Sequence, residues 1–313
     1  MYEFDRMVIV TKKTALQELV ERFGTREQAR FYLEHAGASF GEYEAAHESY
    51  RKALRTVEEA VPAGARAQYI ERDFLPTYTF GPRDLVVTLG PDGLVVNTAK
   101  YLEAQALLAL NPDPRRIDGI LVPFPCAMAR HAFERALRAG WRVRHLSMAQ
   151  ARLGDGQTLH AVNDFYIGQA TQTSALYRLK FGRQEEDQSS SGIIVSTGTG
   201  STGWLKSVVT GALRTVQAML PAGQAELQLA NPRFDGEAEQ LVFHVREPFI
   251  SKTSGADVTF GRIDSKSPLS VTSRMPQHGV IFSDGIEDDY LQFNSGAIAA
   301  ITVAERKLHL MVP

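Results

Sequence analysis

Apolar residues recur along this 313-residue chain in two different patterns. In roughly the first 140 residues, short apolar runs such as Met7 to Thr11 and "DLVVTL" at 84–89 alternate with longer stretches of helical spacing. A continuous apolar run of this length is typical of a strand covered on both faces. Strands that alternate with helices predict a parallel sheet, so we expect an N-terminal α/β domain.

Three stretches of this first region predict helices. Residues Leu16 to Ala60 suit helices that are interrupted near Gly24 and Gly37. After the turn "GPDG", residues Leu94 to Leu110 take up helical spacing, which predicts a strand, a tight turn and a helix. A further buried-looking run, "GILVPF", precedes a helix predicted from Ala127 to Ala139.

From about Trp141 the pattern changes to short strand-like segments separated by turn residues. Helical periodicity is mostly confined to Leu205 to Leu220. This half of the chain is therefore predicted to form an antiparallel β domain. The charged segment "RQEEDQSSS" at 183–191 lies between two of its strands, and we expect it to be a solvated hairpin connection.

Composition limits the classes of protein to which this chain can belong. A formal charge of -2 argues against a nucleic-acid binder that relies on a broad basic surface. Cys126 is the single cysteine, which excludes an internal disulfide and fits a reducing compartment; we expect it to be a small buried side chain. No secretory signal or apolar run of about 20 residues is visible, so we expect a soluble, cytoplasmic protein without a membrane partner.

Polar residues at three places are candidates for chemistry. Asp92 lies in a tight turn after a buried strand, where open α/β sheets bind ligands, although an Asp-Gly pair is also an ordinary turn. The loop "STGTGSTGW" at 196–204 offers amides and hydroxyls to phosphate or ribose oxygens, or is simply a loop. Asn163 and Asp164 interrupt the strand-like "LHAVNDFYIG", so they are either bonded internally or directed at a ligand.

Taken in this order, these segments resemble the NAD kinase family. "LGPDGL" at 89–94 is similar to the family's Gly-Gly-Asp-Gly-Thr motif, "AVNDFYIG" to its Ala-Leu-Asn-Glu/Asp strand, and "STGTGSTGW" to its Ser-Thr-Pro-Thr-Gly-Ser-Thr-Ala-Tyr loop. The divergent, mitochondrial-type members also resemble the chain at "NPDPRR", "SSSGIIVSTGTGS", "VREPF" and "LQFNSGAIA". The resemblance covers most of the chain from about residue 85 onward.

The resemblance implies a fold and an assembly. It implies a Rossmann-like α/β domain with a parallel sheet, formed by residues 1–140 with about 292–313, and an antiparallel β-sandwich domain formed by 141–291. The last strand, "AIAAITV", returns towards the first domain in such a fold. Family members form homodimers or homotetramers, which makes a homo-oligomer the expected state.

The resemblance also implies a reaction, the transfer of a phosphoryl group from ATP or polyphosphate to the 2′-hydroxyl of the adenosine ribose of NAD. Asp92 takes the position of the catalytic aspartate, and Mg²⁺ is held mainly by phosphates and water rather than by a protein metal site. The segments near residues 92, 163 and 200 are expected to converge around one adenosine. The remaining residues expected to bind nucleotide are Gly90, Gly93, Asn111, Asn163, Asp164, Thr197, Thr199, Gly200, Ser201, Thr202, Gly203, Trp204 and Ser207.

Two departures from the family motif keep alternatives open. Pro91 replaces a glycine and removes a backbone N–H that could reach a phosphate, at a cost of about 1.5 to 3 kcal/mol, and Leu94 replaces a threonine hydroxyl. An NAD-binding protein with degraded kinase activity, or a kinase of another hydroxyl substrate such as a lipid or sugar, is the alternative to an active NAD kinase.

Overall fold

The chain forms two compact units in the computed structural model, which describes residues 4–138, 141–220 and 232–313. The first unit comprises Met1–Arg144 with Leu308–Pro313, and the second comprises His145–Lys307. The predicted limits of two domains, 1–140 with 292–313 and 141–291, stay a prediction.

The first unit contains a parallel sheet with helices. Its strands are β1 (Arg6–Thr11), β2 (Ala67–Glu71), β3 (Asp84–Leu89), β4 (Ala106–Asn111) and the two-residue β5 (Phe124–Pro125). They pair in the order β2, β1, β3, β4, β5, and every pair is parallel. Its helices are α1 (Ala15–Phe23), α2 (Arg26–His35), α3 (Phe40–Ala60), α4 (Asp92–Ala99) and α5 (Ala129–Ala136).

The structure confirms the helices predicted between residues 16 and 60. Thr14 and Thr25 cap the starts of α1 and α2, each accepting a backbone N–H in the first turn. Gly24 and Gly37 have φ angles of 85° and 75°, a left-handed conformation that glycine adopts without steric cost and that ends the helices before them. Sequence alone therefore located these breaks.

The helix predicted from Leu94 to Leu110 is wrong in its second half. Helix α4 ends at Ala99, and Ala106–Asn111 is the strand β4, which pairs with β3 from Leu107 to Leu110. Leucine and alanine favour a helix locally, but burial on both faces of a sheet stabilises this short apolar run as a strand. The predicted helix from Ala127 is observed as Ala129–Ala136, and its predicted last residue, 139, lies outside the described residues.

In its described residues, the second unit is a sandwich of antiparallel strands with one long helix. Its strands are β6 (Arg142–Leu153), β7 (Thr158–Ala161), β8 (Asp164–Gln169), β9 (Ala175–Phe181), β10 (Gln184–Ser190), β11 (Ile193–Ser196), β12 (Leu241–Val245), β13 (Phe260–Ile263), β14 (Leu269–Ser273), β15 (Gly279–Ser283), β16 (Ile286–Gln292) and β17 (Ile298–Val312). Strands β6 and β17 each also contribute residues to the first unit. The helix is α6 (Trp204–Met219), close to the prediction from Leu205 to Leu220.

Two sheets enclose the core of this unit. One has the order β13, β12, β11, β8, β15, β16, and the other contains the run β10, β9, β14, β17 together with β6 and β7. Alternate side chains of facing strands are buried, for example Phe165 and Ile167 on β8 and Tyr177 and Leu179 on β9. This period of two is what a strand buried on one face requires. The parallel α/β unit and the antiparallel unit together confirm the predicted fold class.

The expectation of a solvated loop at "RQEEDQSSS" is wrong. Residues Gln184–Ser190 form β10, an edge strand that pairs antiparallel with β9. The Gln188 side chain is buried and donates to the Val258 carbonyl at 3.0 Å, while Asp187 accepts from the Arg178 guanidinium at 2.8 Å. The Arg178 partner lies directly across from Asp187 on β9, and this pairing stabilises a charged segment as an edge strand here.

Candidate functional site

A cavity of about 560 Å³ opens in the second unit, where β8 begins and where the glycine-rich loop enters α6. A volume of this size is typical of sites for nucleotides and other small molecules. Its lining combines carboxylates, hydroxyls, an arginine and aromatic rings: Asn163, Asp164, Tyr166, Gln169, Ala170, Thr199, Gly200, Thr202, Gly203, Trp204, Arg246, Phe282, Asp284 and Gly285. Seven of the predicted nucleotide-binding residues are therefore brought together around one cavity.

Glycines of the loop after β11 are needed for close approach to the backbone. A Cβ on Gly200 would overlap the Asn163 carbonyl, and one on Gly198 would overlap the Asp235 carbonyl. By contrast, a Cβ on Gly203 would meet its nearest atom, the Gly200 carbonyl oxygen, at 3.6 Å. Gly198 and Gly200 thus let the loop pack against neighbouring chain segments, and this packing places the loop at the cavity.

The hydroxyls of this loop divide into two groups. Thr197 and Ser201 are fully buried and donate to the carbonyls of Val162 at 2.5 Å and Gly198 at 2.6 Å, so they hold the loop together. Thr199 lines the cavity, and its Oγ1 is buried without a hydrogen-bond partner among the described residues. Thr202 also lines the cavity and donates to the Thr199 carbonyl at 3.0 Å. A buried hydroxyl without a partner is costly, which marks Thr199 as a ligand-binding candidate.

Asn163 and Asp164 are held by a carboxylate from a distant turn. Asp284 accepts the backbone N–H groups of Val162 at 3.0 Å and Asn163 at 2.7 Å, with a longer contact of 3.3 Å to that of Asp164. The Asp284 N–H in turn donates to the Asp164 carbonyl at 2.9 Å. Asp284 and Gly285 have φ angles of 56° and 72°, as in the tight hairpin turns that asparagine, aspartate and glycine favour.

Asp164 is a buried carboxyl at the cavity whose pKa is strongly raised. Its Oδ1 is inaccessible to solvent and has no hydrogen-bond partner among the described residues. Burial raises the pKa of Asp164 to about 7; a hydrogen bond with Ser196 acts in the opposite direction, and the nearby charge of Asp284 raises the pKa further. A carboxyl that lines a cavity and whose pKa is raised towards neutrality is a candidate for ligand binding.

Three aromatic rings with near-parallel planes line the cavity. The Tyr166 ring lies 6.1 Å from the Trp204 ring and 6.3 Å from the Phe282 ring, with interplanar angles of 24° and 16°. Gly192 leaves room for Tyr166, because a Cβ there would lie 2.6 Å from the ring. The Arg246 guanidinium lies 5.7 Å from the Trp204 ring centre. Near-parallel rings offer a surface on which a planar base can lie.

The other predicted site residues of the second unit do not line the cavity. Ser207 is exposed on α6 and donates to the Gly203 carbonyl at 3.2 Å, a bond within the helix. Thr197 and Ser201 act inside the loop as described. Their direct roles in nucleotide binding stay predictions.

Asp92, Gly90, Gly93 and Asn111 belong to the first unit. Asp92 is the first residue of α4, and its Oδ1 accepts the backbone N–H of Leu121 at 2.5 Å. The Asn111 side chain donates to the Ile117 carbonyl and accepts from the Asp113 N–H, both at 3.0 Å, so it shapes its own loop. Whether any of these four residues contacts nucleotide also stays a prediction.

Asp284, Arg246, Tyr166 and Phe282 were not predicted as site residues, although all four line the cavity. A signal for Asp284 was present, because "SDG" between two strand-like runs predicts a tight turn. Nothing local, however, indicates that this carboxylate reaches residues about 120 positions earlier. Arg246 lies in "VREPF", a segment noted only for its resemblance.

Two further expectations concern Cys126 and membrane-spanning helices. Cys126 is buried as predicted; burial raises the pKa of its thiol to about 12, which leaves it unreactive as a thiol nucleophile. Across the described ranges, we find no helix with the length and apolar character that a membrane crossing requires.

Comparison with known protein sequences finds similarity to NAD kinases. No protein-family model matches the chain. NAD kinase 1 of Gloeobacter violaceus is 31% identical over 138 residues, which cover 40% of this chain and 44% of that protein. The match thus spans less than half the length of this relative. Mitochondrial NAD kinase 2 of Rattus norvegicus is 22% identical over 95% of this chain and 85% of that protein.

Solved structures show the same fold. The yeast NADH kinase in complex with NADH aligns with a TM-score of 0.61 at 13% identity, covering 99% of this chain and 84% of that chain. An NAD kinase from Archaeoglobus fulgidus in complex with ATP aligns with a TM-score of 0.56 at 14% identity, covering 97% and 92%. Fold and site together define a two-unit protein with a cavity of a size suited to a small-molecule ligand. The chain is homologous to the NAD kinases and has their fold.

Proposed function

We propose that this protein is an NAD kinase, which transfers a phosphoryl group to the 2′-hydroxyl of the adenosine ribose of NAD and forms NADP. The observation that carries the proposal is the cavity in which Asn163, Asp164 and the Thr199–Trp204 loop meet a wall of aromatic rings. It offers acceptors for ribose hydroxyls beside a flat surface for a base. The homology to NAD kinases supports the same assignment.

In this proposal Asp92 orients the 2′-hydroxyl and accepts its proton. A bond forms between the 2′-oxygen and the γ-phosphorus of ATP, the bond from that phosphorus to the bridging oxygen breaks, and ADP leaves. Because the proton moves late in a loose transition state, positioning matters more than the basicity of the carboxylate. Asp92 is suited to this role, because one of its oxygens is fixed by the Leu121 N–H and the other can face a substrate.

The proposal also covers the metal ion, the oligomeric state and the cellular location of the protein. The described residues contain no group of three or more His, Cys, Asp or Glu side chains placed to hold a metal ion. In this proposal Mg²⁺ enters the site with the phosphates of ATP, whose negative charge it neutralises. We also propose a homo-oligomer, by analogy with the family, and a reducing, cytoplasmic location that suits a single buried cysteine.

Pro91 favours one alternative, a protein that binds NAD with degraded kinase activity. Pro91 precedes α4 without a side-chain cap and carries no N–H for a phosphate, and Leu94 is buried against Gly90. Both changes affect the segment around Asp92 and leave the cavity of the second unit intact. A kinase that acts on another hydroxyl substrate remains the third candidate.

Formation of NADP from NAD, ATP and Mg²⁺ tests these candidates. Asp92→Asn keeps an oxygen for the Leu121 N–H, so we expect a folded variant whose rate falls about 100-fold or more, with NAD affinity retained. Asp118→Asn, a change at an exposed carboxyl nearby in the sequence, is the matched control and should keep the full rate. Wild-type protein that binds NAD without forming NADP would favour the degraded kinase, and protein that does not bind NAD would favour another substrate.

A further inference from the structure

Arg246 is a cation whose backbone is fixed at the edge of the cavity. It follows β12, and its N–H donates to the Gly192 carbonyl at 2.9 Å, while its own carbonyl accepts the Ser191 N–H at 3.0 Å. The next residue, Glu247, has a φ angle of 46°, so the chain turns sharply here. These contacts hold the start of the Arg246 side chain in one place.

The guanidinium of Arg246 has no partner for its charge within the described parts of the chain. It lies over the face of Trp204, at 5.7 Å from the ring centre, and its charge also acts on His244. No ion pair joins it to a described carboxylate. It also lies near the Tyr166 phenol: burial raises the pKa of Tyr166, and the positive charge of Arg246 acts in the opposite direction. A guanidinium that lies over an aromatic ring uses its flat face for this contact. The N–H groups at its edge therefore stay available to bind an anion.

The cavity is lined by acidic side chains and by one basic side chain among the described residues. Asp164 and Asp284 supply the carboxylates, and the Asp284 oxygens are already occupied by backbone N–H groups. Of the described residues that line the cavity, Arg246 is the only arginine or lysine. A ligand that fits both groups therefore carries hydroxyl or amine donors at one end and an anion at the other.

We propose that Arg246 binds a phosphate group of the nucleotide that occupies this cavity. The proposal rests on the proposed function and adds to it a residue that recognises phosphate rather than ribose or base. Two parallel N–H groups of a guanidinium match two phosphate oxygens, so Arg246 would fix the phosphate while the base lies on the Tyr166 and Trp204 rings. The phosphate belongs either to the pyrophosphate of NAD or to ATP.

Calorimetric titration of wild type and Arg246→Gln with adenosine, ADP-ribose, NAD and a non-hydrolysable ATP analogue tests the proposal. We expect Arg246→Gln to weaken the phosphate-bearing ligands about 10- to 100-fold and adenosine less than about 2-fold, because only the charged hydrogen bonds are lost. A loss for NAD and ADP-ribose assigns the residue to the pyrophosphate of NAD, and a loss confined to the ATP analogue assigns it to the phosphates of ATP. Arg246→Lys should recover part of the affinity, since it keeps the charge.

Arg183→Gln is the control, because this exposed arginine in the turn between β9 and β10 undergoes the same charge change away from the cavity. Its affinities should equal those of wild type. An equal loss of adenosine and NAD in Arg246→Gln would overturn the proposal, because Arg246 would then only support Trp204. Unchanged affinity for every phosphate-bearing ligand would overturn it as well. Wild-type protein that binds none of the nucleotides would instead overturn the proposed function, and this inference with it.

Discussion

The carboxylate of Asp284 accepts the backbone N–H of Asn163 at 2.7 Å. With the bonds to Val162 and Asp164, it connects the turn between β15 and β16 to the start of β8. Hydrogen bonds to an ionised acceptor are stronger than those between neutral groups. The hairpin turn therefore fixes the backbone from which the Asn163 and Asp164 side chains enter the cavity.

The first prediction concerns this connection. Asp284→Asn keeps a residue that tolerates a φ of 56° but loses the charge, so we expect the free energy of unfolding to fall by about 1 to 3 kcal/mol. Urea denaturation measures the change. Asp155→Asn, at an exposed turn carboxyl that accepts the Gln157 N–H, should cost less than about 1 kcal/mol. Equal losses in both variants would show that Asp284 is an ordinary turn residue.

The second prediction concerns pH. Asp164 has a pKa of about 7 in the folded protein against 3.8 normally, so between these values the folded chain binds more protons than the unfolded chain. The contribution of Asp164 to stability is thus fully present below about pH 4 and is lost as the pH rises to about 7.

Denaturation of wild type and Asp164→Asn at pH 5 and pH 8 measures this effect. We expect the stability of wild type, relative to the variant, to fall by about 2 to 3 kcal/mol between these pH values, since one pKa unit corresponds to about 1.4 kcal/mol. A difference between the two proteins that does not change with pH would contradict the raised pKa.

The third prediction concerns the loop glycines. Gly200→Ala would force the new Cβ into the Asn163 carbonyl, which cannot move without shifting the start of β8. We expect a loss of about 1 to 3 kcal/mol in unfolding free energy together with weaker NAD binding. Gly211→Ala is the matched control: no atom lies within 4 Å of its Cβ position, and it lies inside α6. It should raise stability by about 0.5 to 1 kcal/mol; a similar gain at Gly200 would contradict the packing argument.

The fourth prediction concerns Asn163, which lines the cavity. If its amide binds the nucleotide, Asn163→Ala should weaken NAD binding by about 1 to 3 kcal/mol, because a buried hydrogen bond is lost. Calorimetry measures the affinity, and denaturation shows whether the fold is retained. Unchanged affinity would mean that Asn163 contributes its backbone alone, through the bonds to Asp284 and Thr197.

Local patterns predicted much of the fold because they depend on near neighbours. The breaks at Gly24 and Gly37, the strand at 84–89 and the helix that begins near Leu205 follow from spacing and turn residues. The pattern failed at Ala106–Asn111 and Gln184–Ser190. In both, pairing with a neighbouring strand outweighed the local preference of the residues.

By itself, the sequence determined the two classes of unit, the order of most elements, and the residues at 163–164, 199–200 and 202–204 that line the cavity. Only the tertiary structure decided that Thr197 and Ser201 hold their own loop, that Asp284 fixes Asn163, and that Arg246 lies against Trp204. The reason is that hydrogen bonds and ring contacts between distant segments depend on how strands are ordered in a sheet. That order is set by packing of the whole core, which no short stretch of sequence specifies.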